Sequence, residues 1–415
     1  LVHVRFQVFF AMSSTQFIQS VQSAQSIKNL ASLKRDRSER PVVLHLTPDL
    51  ETGWNAREVV DLGIQSHRSG FRPLIASAGG ALVLEAERTA VRHTQMPLNR
   101  RGLFSRWRCR SRLDSLIQRE RPAVVHAHGI DMIAPLLRAA RARPFAALVD
   151  LTQPVSVTPA HQKILQAAAQ RGFAFRVPTA YMVRHLRQDF QLATDRLFCI
   201  PPGIDLSWYD PPRVTPERLQ TLGHLWRLPE QGTVVLMGVP FAPGAGHTEL
   251  LDALQKLKRP DLYTVMVGDD RAAPGWRAEI EKQILAKGLA GQVIMPESCA
   301  DWPAACWLAS FVVAPNTIPR GQANELLAAQ AMGRPVIVTD TGANIELVKP
   351  GETAWVLATG DVPALASALD EASQLGGDRR IDLAVATRAF IDETFPLARW
   401  AQALFELYRQ LSRVC

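Results

Sequence analysis

Gln322–Leu357 reads QANELLAAQAMGRPVIVTDTGANIELVKPGETAWVL. Its pattern predicts a helix opening near Asn324 and an apolar strand over Pro335–Thr339. A glycine-bearing loop, Asp340–Asn344, follows, then a short helical turn and a second strand, Ala354–Leu357. An apolar run ending in a polar loop with glycine marks a parallel strand whose C-terminal end meets a crevice. In a doubly wound sheet ligands lie at that end, beside helix N-termini that favour anions. An ordinary βα unit without a ligand shows the same pattern.

The segment AQAMGRPVIVTDTGANIELVKPGETAWVL also resembles the donor site of the retaining family-4 glycosyltransferases, whose two-domain architecture is called GT-B. That family carries two glutamates ahead of and within a helix running into AMxxGRPV, then a Gly-Gly loop. With Ala331–Val336 as the anchor, the glutamate positions fall on Arg320 and Ala328, and the glycine pair becomes Gly342–Ala343. Further phrases (HAHG, IPPGID, VGDD) extend the resemblance over nearly all of Pro41–Arg413. It implies an α/β fold with two Rossmann-like domains facing a central cleft. A Gly-x-Gly-x-x-Gly fingerprint after the first strand is absent, which speaks against a dehydrogenase.

The bulk properties fit that size of molecule. A chain of 415 residues, 47% hydrophobic and 21% charged, is long enough for two cores and is not disordered. No apolar run approaches the ~20 residues that span a bilayer. The opening LVHVRFQVFFAM is expected to be an extension ahead of a start at Met12, with a signal peptide as the alternative. Cys109, Cys199, Cys299, Cys306 and Cys415 are scattered and form no CxxC. That points to a cytoplasmic location and away from a zinc or disulfide frame, with Cys299 and Cys306 in the core.

The net charge is +8, and much of the excess runs from Arg92 through Arg100, Arg101, Arg106, Arg108, Arg110, Arg112 and Arg119 to Arg121. Leu98, Leu103, Phe104 and Trp107 are interleaved with it. The stretch Arg100–Arg121 suits an anionic membrane surface at the inner face, where each basic side chain contributes ~1 kcal/mol. Nucleic-acid phosphates are a weaker match, and a solvated helix face is the plain alternative.

The chain divides into a poorly ordered leader at 1–40 and a first, acceptor-side domain at 41–210. A second, nucleotide-sugar-side domain spans 211–395, and the terminal helix at 396–415 crosses back. Pro211, Pro212 and Pro216 mark an extended joint. After the first strand, PVVLHL, comes Glu51-Thr52-Gly53-Trp54, where the resembled family has Gly-Gly. Gly53 keeps the backbone open to phosphate, whereas Trp54 fills the space of a sugar-phosphate or stacks on a sugar ring. His126 and His128 alternate on one strand face, and no third ligand accompanies them. No metal site is therefore expected.

The resemblance assigns roles that this chain fills differently. The family's catalytic histidine position falls on Asp150, and its phosphate-binding arginine and lysine fall on Val239 and Ala245 after Gly238. No Lys or Arg occurs between Thr233 and Gln255, so His247 is the nearest candidate cation. Losing two preorganised cations beside a departing diphosphate costs several kcal/mol, or ~10³-fold in rate. Arg320 is the expected replacement phosphate ligand, with Asn324 and Gly342 beside it. Glu325, on nearly the same helix face as Ala328, is expected to reach the ribose. Asp269-Asp270 is expected to be a turn rather than a metal-binding pair.

The implied reaction moves a hexose, with retention, from a nucleotide-diphosphate sugar to a polysaccharide, lipopolysaccharide or lipid acceptor, without a metal or other cofactor. The alternative is an inactive GT-B chain that partners an active glycosyltransferase or binds carbohydrate.

Overall fold

The computed structural model describes residues 40–51, 53–98, 103–142 and 145–413, with backbone alone at 103–110, 141 and 142. The expected leader (but for Arg40), Met12, Arg100 and Arg101 fall outside these, as do the side chains of Arg106, Arg108 and Arg110. Both sheets lie in one compact unit, Val42–Cys415.

The first sheet has seven parallel strands: β1 (Val42–Leu46), β2 (Arg72–Ser77), β3 (Arg92–Gln95), β4 (Val124–His128), β5 (Ala146–Asp150), β6 (Ala174–Val177) and β7 (Leu197–Cys199). Their order is β3-β2-β1-β4-β5-β6-β7. The second has six: β8 (Thr233–Met237), β9 (Leu262–Met266), β10 (Val293–Ile294), β11 (Phe311–Ala314), β12 (Val336–Thr339) and β13 (Ala354–Leu357). Their order is β10-β9-β8-β11-β12-β13. Each sheet starts in the middle, winds outward, and reverses between its first strand and the strand that returns. These are two Rossmann-like domains, and each opens a crevice where the winding reverses.

Helices cover both faces of each sheet, so the central strands are buried throughout and mostly apolar, with His45, Asp150 and Thr339 as the polar exceptions near their C-terminal ends. The first sheet packs Leu44, Val125 and Phe175 on one face and Val43, Leu148 and Ala174 on the other. The second is enclosed in the same way, with Leu236 and Val338 on one side and Val235 and Ile337 on the other.

The chain closes on itself through the helix Leu397–Ser412. Ile204 N–H donates to Phe395 O at 2.9 Å, and Leu397 N–H donates back to Ile204 O at 3.0 Å. The helix then buries Trp400, Leu404 and Tyr408 against Val43, Leu62 and Phe71 of the first sheet's layers. Among the described residues, no helix is long and apolar enough to cross a membrane.

One local expectation needs correcting, and two elements carry no clear signal in the sequence. Pro211–Arg213 forms a 3-10 turn, and Pro216 is the first residue of the helix Pro216–Leu225, where its missing N–H costs nothing. The helix Gly377–Thr394 was hidden because its buried stripe is thin, while Ile381 and Val385 are exposed. β3, with sequence RHTQ, is a polar edge strand without an apolar signal. The arginine run lies mostly on a helix, Leu103–Glu120. There Glu120 accepts from Arg92 and Arg119 at 2.9 and 3.1 Å, while Arg112 and Arg121 are exposed.

Candidate functional site

Loops leaving the C-terminal ends of β1, β8, β9 and β11 converge on a cavity of about 710 Å³. It lies at the reversal points of both sheets, and its size falls in the range of small-molecule sites. Gly53 and Gly238 both line it. A Cβ at Gly53 would meet only open space, whereas one at Gly238 would lie 2.7 Å from the Trp302 ring. Trp54, at the start of the helix Trp54–Arg68, tilts against Trp302 with ring centroids 4.8 Å apart. The two indoles form one wall of the cavity.

Polar bonds tie the two lobes together around this space. Gln153 Nε2 donates to Gln322 O at 2.8 Å, and Gly321 N–H donates to Gln153 Oε1 at 3.2 Å. Gln322 Nε2 reaches Glu58 Oε2 at 3.0 Å. Glu346, in the loop after β12, accepts from the N–H groups of Ala180 and Tyr181 at 2.7 and 2.8 Å. A carboxylate there satisfies unpaired donors at the positive end of the helix Ala180–Phe190.

The charge in the cavity is mostly acidic. Asp49, Glu51, Asp269 and Glu297 line it, against Arg271 and Arg320. Arg271 bonds Asp269 at 2.9 Å and lies 3.6 Å from Asp49. Arg320 bonds Glu325 through both branches of its guanidinium. Each cationic side chain in the cavity therefore already has a carboxylate partner. Asp269 and Asp270 behave as a turn: Asp269 accepts from Arg271 N–H at 3.0 Å, and Asp270 accepts from Gly275 N–H at 3.0 Å.

Of the residues expected at the site, Gly53, Gly238, Arg320 and Asn324 line the cavity. Glu325 is buried behind Arg320 at 1% exposure, so it holds the arginine rather than facing the space. Gly342 packs against the Arg320 backbone, where a Cβ would sit 2.5 Å from its N and O. His247 is not the cleft cation. It stacks on Phe241 with centroids 4.6 Å apart, both ring nitrogens lack partners, and burial pulls its pKa down to about 4. It is neutral at neutral pH and lies outside the cavity lining. Val239 is also in the lining, but Ala245 is not.

Asp150 is likewise outside the cavity lining, buried at 2% exposure. Arg176 Nη1 donates to both of its oxygens at 3.0 and 3.2 Å and to Glu58 Oε1 at 3.2 Å. Burial pushes the Asp150 and Glu58 carboxyls upward, and the guanidinium opposes it. Sequence reading missed Glu58 and Arg176. A lone arginine in an apolar strand, AFRV, was the available signal.

Beside Asp150, three imidazoles converge, so the pair His126 and His128 does have a third member. His45 of β1 sits in register with His126 of β4, and His128 is the register partner of Asp150. His45 and His126 are fully buried. Burial holds all three pKa values down, with His128 at about 3, so the rings are neutral. Cys299 and Cys306 are buried free thiols of the core, Cys299 pushed up to about 12 by burial.

Two family models match, "Glycosyltransferase Family 4" over residues 56–208 and "Glycosyl transferases group 1" over residues 231–374. No curated protein matches the chain by sequence. Similar solved structures include a glycosyltransferase from Rickettsia africae ESF-5, 21% identical, covering 90% of this chain and 99% of that one with a TM-score of 0.78. Anabaena HepE in complex with UDP and glucose is 18% identical, with 88% and 98% covered and a TM-score of 0.74. Sucrose-phosphate synthase from Thermosynechococcus elongatus is 17% identical, with 91% and 100% covered and a TM-score of 0.77.

Proposed function

The chain belongs to the family-4-like glycosyltransferases of GT-B architecture, and we propose that it transfers a hexose, with retention, from a nucleotide-diphosphate sugar to a glycan or glycolipid acceptor. The observation that carries this reading is the cavity of about 710 Å³ at the reversal points of both sheets, with Gly53 and Gly238 in its lining and open space over Gly53. A UDP-sugar is the donor class to test first, since the similar HepE structure holds UDP and glucose.

In this reading the donor diphosphate draws Arg320 from Glu325 and Arg271 from Asp269, replacing one charge-assisted bond with another. Asn324, at the first turn of the helix Asn324–Ala331, supplies a polar side chain and an unpaired helix end to the donor. The acceptor enters from the first lobe. No step requires a metal. Contact with anionic lipid through Arg112 and Arg121 would place the acceptor at a membrane surface.

A second reading is favoured by the ion pairs and the indoles: a chain that binds carbohydrate beside a partner glycosyltransferase without transferring it. Both cleft arginines are occupied, and Trp54 stands where a sugar-phosphate would pass. Calorimetric titration with UDP-, GDP- and ADP-sugars, followed by an assay for released nucleotide, separates the two. Micromolar binding with turnover supports transfer. Binding of oligosaccharide without nucleotide binding supports the second reading and overturns the first.

A further inference from the structure

We propose that His45, His126 and His128 form a buried site for one tetrahedral divalent transition metal, zinc being the best fit, which ties the centre of the first sheet to the C-terminal helix. One nitrogen of each ring lies within 4.8 Å of one from each of the others. Zinc–nitrogen bonds of ~2.0–2.1 Å place two tetrahedral ligands about 3.3 Å apart. His45 Nδ1 and His128 Nε2 are 3.2 Å apart, so this edge needs almost no adjustment.

The hydrogen bonding of His126 supports the same conclusion. Its Nδ1 pairs with the Tyr408 hydroxyl at 2.7 Å, which leaves Nε2 as the ring nitrogen available to a metal. That Nε2 is buried without a hydrogen-bond partner, 3.9 Å from Asp150 Oδ2. A buried ring nitrogen without a hydrogen-bond partner is costly, and a metal bound to its deprotonated form would remove that cost. Metal-bound histidines commonly fix the other ring nitrogen with an outer hydrogen bond, as Tyr408 does here.

Charge allows a cation at this place. Asp150 and Glu58 share the single guanidinium of Arg176, so the ionised group carries one negative charge in excess. Asp150 Oδ2 lies 3.9 Å from His126 Nε2 and 3.8 Å from His128 Nδ1, which places a carboxylate beside two of the three rings. The site is distinct from the cavity: none of the three histidines lines it. It does not depend on the proposed transfer reaction.

The test uses the full chain, dialysed against a chelator and titrated with Zn²⁺ or Co²⁺. One equivalent of Co²⁺ should bind with the intense visible absorption of a tetrahedral nitrogen site, and Zn²⁺ should displace it and raise the melting temperature. His45→Asn or His126→Asn should abolish the absorption. Tyr408→Phe keeps the aromatic packing and should weaken metal binding ~10–100-fold, which covers the case that a histidine variant does not fold. Absence of stoichiometric uptake, unchanged melting on adding metal, or uptake equal in wild type and Tyr408→Phe would each overturn the site.

Discussion

Arg320 and Glu325 hold each other at the rim of the cavity, with Arg320 Nη2 3.3 Å from Glu325 Oε2 and a second, shorter contact through Nη1. Sequence comparison sets these two residues to replace lost donor-site groups independently. Their pairing means that neither is free until a ligand separates them.

That pairing gives the first prediction. Glu325→Gln weakens the competing bond, so the Kd for UDP should fall by about tenfold. Arg320→Ala removes a charge-assisted bond of ~1.5–3 kcal/mol and should raise Kd by ~10–100-fold. Calorimetry at two salt concentrations measures both. Equal Kd in wild type and both variants means that Arg320 does not bind the diphosphate.

Trp54→Gly restores a second open backbone position beside Gly53 and leaves Trp302 without its stacking partner. Since Trp54 is only half-buried, the loss in stability should be ~1–2 kcal/mol rather than the 3–5 kcal/mol of a core indole. Donor affinity should rise in a transferase. In a carbohydrate-binding chain, oligosaccharide affinity should instead fall. Tryptophan fluorescence titration with each ligand class decides between them.

Strands β5, β8, β11 and β12 were legible because a strand enclosed on both faces is apolar over most of its length. The wall-forming position of Trp54 was legible too, since it interrupts an expected glycine pair. What the sequence hid was which side chains pair, whether near or far along the chain. His45 meets His126 only because β1 and β4 adjoin in register. Arg320 meets Glu325 because the loop after β11 folds back onto the next helix, and Arg176 meets Glu58 across 118 residues. Local periodicity carries none of this, and burial silenced His247, which composition alone counts as a candidate cation.

Arg176→Met should be strongly destabilising. It leaves Asp150 and Glu58 buried without their shared partner, a loss of ~3–5 kcal/mol in chemical denaturation at pH 7.5. The penalty should shrink as the pH falls, because each carboxyl that protonates removes one of the two uncompensated charges. A pH-independent loss would place the effect in packing instead.

His247→Phe tests the second domain separately. The folded pKa of His247 is about 4, against ~6.5 when unfolded. Between these values the unfolded chain binds the extra proton, so wild-type stability is complete above about pH 6.5 and declines as the pH falls towards 4. The gap is worth about 3 kcal/mol. Phenylalanine keeps a ring against Phe241 and removes two buried nitrogens that lack partners. The variant should equal or exceed wild type at pH 7.5, and its advantage should widen by up to about 3 kcal/mol near pH 4. The histidines at 45, 126 and 128 contribute their own acid sensitivity to both proteins, so the difference between the two curves isolates His247. Parallel curves from pH 7.5 to 4 would mean that the folded chain already protonates His247, and that the ring is open to water.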